Sequence, residues 1–165
     1  VKRFFIFLVL LGVPLFYIYT QSYGLPKEEA PMLTAVNEEL AALGEPSSES
    51  FLAKTETENT YGVLFETQNG FGHALFQQGW NNRYRLRAVQ IHAEKVWTST
   101  ITLSDNEHWA IASVAKPPKQ SKQTYVVIDD DKNELMRLEV GQAPTIALMK
   151  VAEPFSGEIQ LKNET

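Results

Sequence analysis

Cysteine is absent from the 165 residues, which removes disulfide scaffolds, thiol catalysis, cysteine-held zinc and iron–sulfur ligation together. Basic charge is also scarce. Fifteen Lys and Arg stand against 20 Asp and Glu, a formal charge of −5. Proteins that wrap nucleic acid need basic surface, so nucleic acid is not expected as a partner. The three histidines, His73, His92 and His108, lack metal-ligand spacing and read as isolated surface or edge residues. No glycine-rich phosphate loop occurs, no nucleophile elbow frames a serine, and no repeat of fixed period is present. The sequence therefore assigns no catalytic residue, no metal ligand and no cofactor.

Charge is missing altogether from Phe4 to Pro26, between Lys2 and Arg3 on one side and Lys27 on the other. Phe4 to Tyr19 is almost wholly apolar. As a helix it rises about 24 Å, and about 30 Å when counted on to Tyr23, which matches a bilayer's hydrocarbon core. Tyr17, Tyr19 and Tyr23 cluster at one end, where aromatic rings favour the headgroup level. Pro14 is a fault that membrane helices tolerate. Residues 1–24 thus read as a signal anchor, with the lipid bilayer as partner through residues 4–23. By the positive-inside rule Lys2 and Arg3 place the N-terminal side in the cytoplasm and the remainder outside. Cleavage of the signal would instead give a secreted protein.

From Leu25 onward, 13 Lys and Arg face all 20 Asp and Glu, a net charge of −7 over 141 residues. Such a domain is repelled as a whole by anionic lipid and is not expected to lie flat on it. A thiol-free extracytoplasmic domain cannot misfold by wrong pairing, which points to a bacterial cell envelope.

Residues 25–50 read as one short amphipathic helix and a linker. Leu33, Val36, Leu40 and Leu43 form an apolar stripe, Gly44 suits the cap after it, and Ser47 to Ser50 is polar. From Phe51 to Thr165 the period becomes two. Tyr61, Val63 and Phe65 lead into Gln68-Asn69-Gly70, an Asn-Gly hairpin signal. Further turns are expected at Gly79–Asn82, at Asp105-Asn106, at the Lys116-Pro117-Pro118-Lys119 loop and at Asp129–Asn133. The fold class is all-β: an antiparallel meander of about nine strands, as a sandwich or partly open barrel. Asn163-Glu164-Thr165 has the form of a glycosylation acceptor but carries no argument.

Two features could carry binding. Asp129, Asp131 and Asn133 have the spacing of the first calcium ligands of an EF-hand, but Glu134 stands where glycine is needed and the twelfth position is Val140. A polar hairpin turn is the better account. Arg83, Arg85 and Arg87 alternate along one strand, with Trp80 just before them. Three guanidinium groups in a row suit a phosphate, a carboxylate or an anionic polymer. The competing reading is a solvated face paired with Glu66 or Glu94. Val89 and Ile91 continue the arginine parity, so a bulge is expected near Ala88.

The expectation is a membrane-anchored, non-enzymatic binding module of the cell envelope. Its partner is an envelope protein or anionic polymer, and Arg83, Arg85, Arg87 and Trp80 are the binding residues. The alternatives are an envelope-polymer hydrolase and a carrier of small apolar ligands with a barrel interior.

Overall fold

The computed structural model describes residues 2–104, 107–117, 122–154 and 156–162, with side chains from residue 12 onward. The expected turn at Asp105-Asn106, part of the proline loop (residues 118–121) and the Asn163 acceptor lie outside the described residues.

Helix α1 runs Lys2–Ser22 and α2 runs Glu29–Ala42. Among the described residues ten strands follow: β1 Phe51–Thr57, β2 Thr60–Thr67, β3 Gly70–Gln78, β4 Tyr84–His92, β5 Val96–Ser104, β6 Glu107–Val114, β7 Gln123–Ile128, β8 Glu134–Val140, β9 Thr145–Val151 and β10 Glu158–Lys162. All described pairings are antiparallel, and the chain is mostly β. The strands form three sheets, ordered β1-β2-β3-β4, β5-β6-β9 and β10-β7-β8.

The expected single meander therefore holds only for the first sheet. The β7–β8 hairpin leaves the path between β6 and β9, which pair directly from His108↔Val151 to Val114↔Thr145. β10 then returns to β7. The strand absent from the sequence reading is β1. Its burial alternates weakly, and it turns into β2 through Glu58 at φ 48°, a residue type that does not advertise a turn.

The layers stack through three apolar clusters. One face of the first sheet presents Leu64, Phe71 and Leu75 to Trp97, Ile101, Trp109, Ile111 and Ile146 of the second. Its other face presents Val63, Phe65, Ala74, Phe76 and Tyr84 to α2. The far face of the second sheet, with Ala112 and Val114, packs on Tyr125, Val127, Leu138 and Val140 of the third. Two tryptophans and a row of aliphatic side chains occupy the main inter-sheet layer.

On α2 the buried stripe is Met32, Val36 and Leu40, strictly four residues apart. Leu33 is half-buried and Leu43 is 56% exposed, so the expected stripe is rotated by one position. Leu43 is the C-cap rather than a helical residue, and the chain leaves the helix there. Gly44, at φ 76°, adopts the left-handed conformation that closes the end. Its N–H reaches the Ala41 carbonyl at 3.1 Å, and Glu45 N–H reaches the Leu40 carbonyl at 2.8 Å. The expected linker is partly tied down. Ser48 is buried, and Asn37 of α2 clamps its main chain, accepting from its N–H at 2.8 Å and donating to its carbonyl at 3.0 Å.

The first hairpin is also displaced. Thr67 pairs with Gly70, so Gln68 and Asn69 form the turn and Gly70 starts β3. The acidic hairpin follows the expectation of a polar turn. Both Asp129 carboxylate oxygens accept from Asn133, one from its main chain at 2.7 Å and one from its side chain at 3.0 Å. These bonds hold the Asp129 carboxyl below its ordinary range. Among the described residues no cluster of His, Asp and Glu could hold a metal ion.

The rotated stripe gives a direct test. Leu40→Ala should cost about 2–5 kcal/mol, and Leu43→Ala no more than about 0.5 kcal/mol, by urea denaturation of matched variants. Equal costs would return Leu43 to the buried face.

Candidate functional site

The β3–β4 turn, residues 79–83, is built from two local bonds. Gly79 N–H donates to the Arg83 carbonyl at 2.8 Å and Asn82 N–H to the Gly79 carbonyl at 3.0 Å. Asn82 takes the left-handed conformation at φ 57°, which asparagine tolerates. The Asn81 side chain accepts from Arg83 N–H at 3.1 Å and fixes the turn from within.

This turn is fastened to the end of α1. Trp80 N–H donates to the Tyr19 hydroxyl at 2.8 Å, and Asn81 Nδ2 donates to the Tyr23 carbonyl at 3.0 Å. Arg83 Nη1 donates to the Gly24 carbonyl at 2.8 Å. Leu25 and Tyr84 then exchange both main-chain bonds, at 3.1 and 2.8 Å, as an antiparallel bridge. The Trp80 ring stacks on Tyr19, centroids 5.1 Å apart, and lies 5.5 Å from Phe16. Tyr19 stacks in turn on Tyr23 at 4.7 Å. Gly79 is where this close approach demands a missing side chain, because a Cβ there would sit 2.3 Å from the Tyr19 hydroxyl. Despite these contacts Trp80 remains 67% exposed, whereas Trp97 and Trp109 are buried in the core.

The arginine row divides on this frame. Arg83 precedes β4 and is exposed. Arg85 lies in β4, is exposed, and borders a shallow hollow with Gln21, Gly24, Glu38 and Glu39. Arg87 is half-buried and donates from Nη2 to the Leu103 carbonyl at 2.7 Å. The register of β4 on β3 slips between Leu75↔Ala88 and Phe76↔Leu86, which makes Arg87 the extra residue of a bulge beside Ala88. Among the described residues the pairs of the competing reading, to Glu66 or Glu94, are not seen, and Glu66 pairs instead with Lys116 at 3.0 Å. Among the described residues no carboxylate pairs with Arg83, Arg85 or Arg87. Each guanidinium has five donors, so Arg83 and Arg87 keep most of theirs after one main-chain bond.

The histidines correct the sequence reading. His73 is fully buried between the first two sheets, and His108 is 8% exposed. His73 accepts at Nδ1 from Trp97 Nε1–H at 3.1 Å, which leaves the proton on Nε2, facing Gln90 Oε1 at 3.1 Å and Ser99 Oγ at 3.3 Å. The rings of His73, His92 and Trp97 form one stacked group, with centroids 4.8–6.0 Å apart. Burial, reinforced by His92, pushes the His73 pKa from 6.5 down to about 3. Burial also lowers His92, against the opposing pull of Glu94. No local pattern announces this group, since its members come from β3, β4 and β5. A neutral, fully bonded imidazole in a core is a structural element: protonating it would break the Trp97 bond.

Compared with family models, curated proteins and solved structures, the chain matches none.

The buried imidazole predicts a pH dependence. Unfolded, the His73 ring takes a proton below its ordinary 6.5, and folded it does so near 3. The stability it supports is therefore complete above pH 6.5 and is lost as pH falls toward 3. The urea midpoint should drop over that window, with up to about 1.4 kcal/mol per pH unit from this one group. In His73→Leu that share of the slope should vanish, whatever the variant's absolute stability. An unchanged slope would mean that the ring titrates freely in the folded protein.

Proposed function

We propose that the protein is a membrane-anchored interaction module of the bacterial cell envelope, with α1 in the bilayer and the β-sheets on the extracytoplasmic side. The supporting observation is the exposure of α1. Every residue from Gly12 to Ile18 is exposed, including Val13, Leu15, Phe16, Tyr17 and Ile18 at 53–63%. A helix that is apolar all round belongs in a protein core or in lipid. Among the described side chains, none from α1 belongs to the three core clusters. Side chains 1–11 lie outside the description, and among the described residues no helix is long and apolar enough to cross a membrane. The exposed half of α1 continues the uncharged sequence Phe4–Pro26, and 21 helical residues span about 31 Å. Lys2 and Arg3 orient it with this end in the cytoplasm.

The module acts by binding. Its recognition residues are Arg83, Arg85 and Arg87, cations without a carboxylate partner among the described residues of a strongly acidic domain. A bidentate guanidinium suits phosphate or carboxylate, the groups that anionic envelope polymers and acidic protein segments offer.

The cysteine-free chain permits a clean topology test. In Asp130→Cys the introduced thiol is the sole one, at an exposed position. A membrane-impermeant maleimide should label it in intact bacterial spheroplasts, with the protein remaining in the carbonate-washed membrane pellet. Labelling that appears only after lysis would overturn the orientation, and release into the medium without residues 1–24 would mean a cleaved signal. For recognition, changing Arg83, Arg85 and Arg87 together to Ser should weaken capture of inorganic polyphosphate by the detergent-solubilised chain at least about tenfold. Equal capture would remove the arginines from the binding surface.

A further inference from the structure

We propose that the β3–β4 turn is a second membrane contact: Trp80 seats in the phospholipid interface beside the end of α1, with Arg83 placed to meet lipid phosphate. This rests on the anchor reading and goes beyond it, because it gives the folded domain its own footing on the lipid.

The geometry carries it. Phe16 lies six residues before the end of α1, about 9 Å along the axis. Trp80 touches both Phe16 and Tyr19, so the turn reaches back along the last two turns of the helix. When α1 spans the bilayer, those turns occupy the headgroup boundary, and Trp80 is carried to the same depth. Indole and phenol rings favour that depth because one end is apolar and the other hydrogen-bonds to water or phosphate. Trp80 is 67% exposed in water, a costly position for the largest side chain unless something apolar covers it. Its neighbours supply the apolar continuity: Phe16 and Tyr17 are exposed at 53% and 63% on the adjoining helix.

Charge agrees with this placement. The segment from Gly79 to Arg87 holds three arginines and no acidic residue, within a domain of net charge −7. The general repulsion of the domain from lipid thus has a local exception at the point nearest the helix end. Arg83 is held there by the Gly24 carbonyl and keeps further donors for a phosphate. The fastening is stiff, combining the Tyr19, Tyr23 and Gly24 bonds with the Leu25–Tyr84 bridge. A stiff junction fixes the tilt of the sheets over the membrane, where a flexible linker would leave it free.

The test uses the full chain in phosphatidylcholine vesicles whose acyl chains carry bromine near the glycerol end, a contact quencher of tryptophan. Of the three tryptophans, Trp97 and Trp109 are buried and Trp80 is exposed. Emission should therefore fall by about a third, and the fall should disappear in Trp80→Phe. Arg83→Ser, which releases the turn from Gly24, should retain less than about half of the quenching. A chain that stays with carbonate-washed vesicles yet is unquenched overturns the foot and leaves the anchor standing. The same holds if Trp80→Phe is quenched as strongly as the parent. A chain that does not sediment with vesicles overturns both.

Discussion

Two-sided burial of the first sheet is the constraint on which the rest of the structure depends. In β2 and β3 nearly every side chain is enclosed, because successive residues point to opposite faces and both faces are covered. Val63, Phe65, Ala74 and Phe76 require α2 above them, while Leu64, Phe71 and Leu75 require the second sheet below. Neither cover is dispensable, since fully exposing a side chain of this size costs about 1.5–3 kcal/mol. The segment before the sheets is thereby part of the fold. Met32, Val36 and Leu40 are core residues, and Asn37 ties the following chain to the helix.

The same constraint shapes β4. Tyr84 and Leu86 face α2 before the bulge, and Val89 and Ile91 face it afterwards. Strict alternation would have turned one of these pairs to the wrong side, and the extra residue at Arg87 restores the phase. It also sends Arg87 toward the Leu103 carbonyl and leaves Gln90 and His92 beside His73. The separated arginines and the buried histidine stack are two consequences of one insertion.

Much of this was legible beforehand. The bulge was visible as a parity conflict between Arg87 and Val89, because only a register slip reconciles polar and apolar residues on one face. Nine strands were visible from their alternation and turn residues. β1 was missed because its turn uses Glu58 in a conformation normally given to Gly or Asn. The meander failed because pairing order beyond the nearest neighbour is not written locally: β6 and β9 meet across a hairpin that sequence distance places between them. For the site, Trp80 and the three arginines were legible as types at a spacing. Their attachment was not, because Tyr19, Tyr23 and Gly24 lie about 60 residues away and bond largely through main-chain atoms.

Composition, the uncharged run Phe4–Pro26 and the change of period at Phe51 determined the classes available: an uncharged apolar helix, a short amphipathic helix and a thiol-free, acidic β-rich domain. These follow from local chemistry, and one sequence suffices to read them. Tertiary structure decided which faces are covered, that His73 is a neutral core residue, and that the Trp80 turn grips the end of α1. Those outcomes depend on which distant strands pair. A residue's environment is set by its neighbours across the sheet and across the layer, and the order of the chain does not state them.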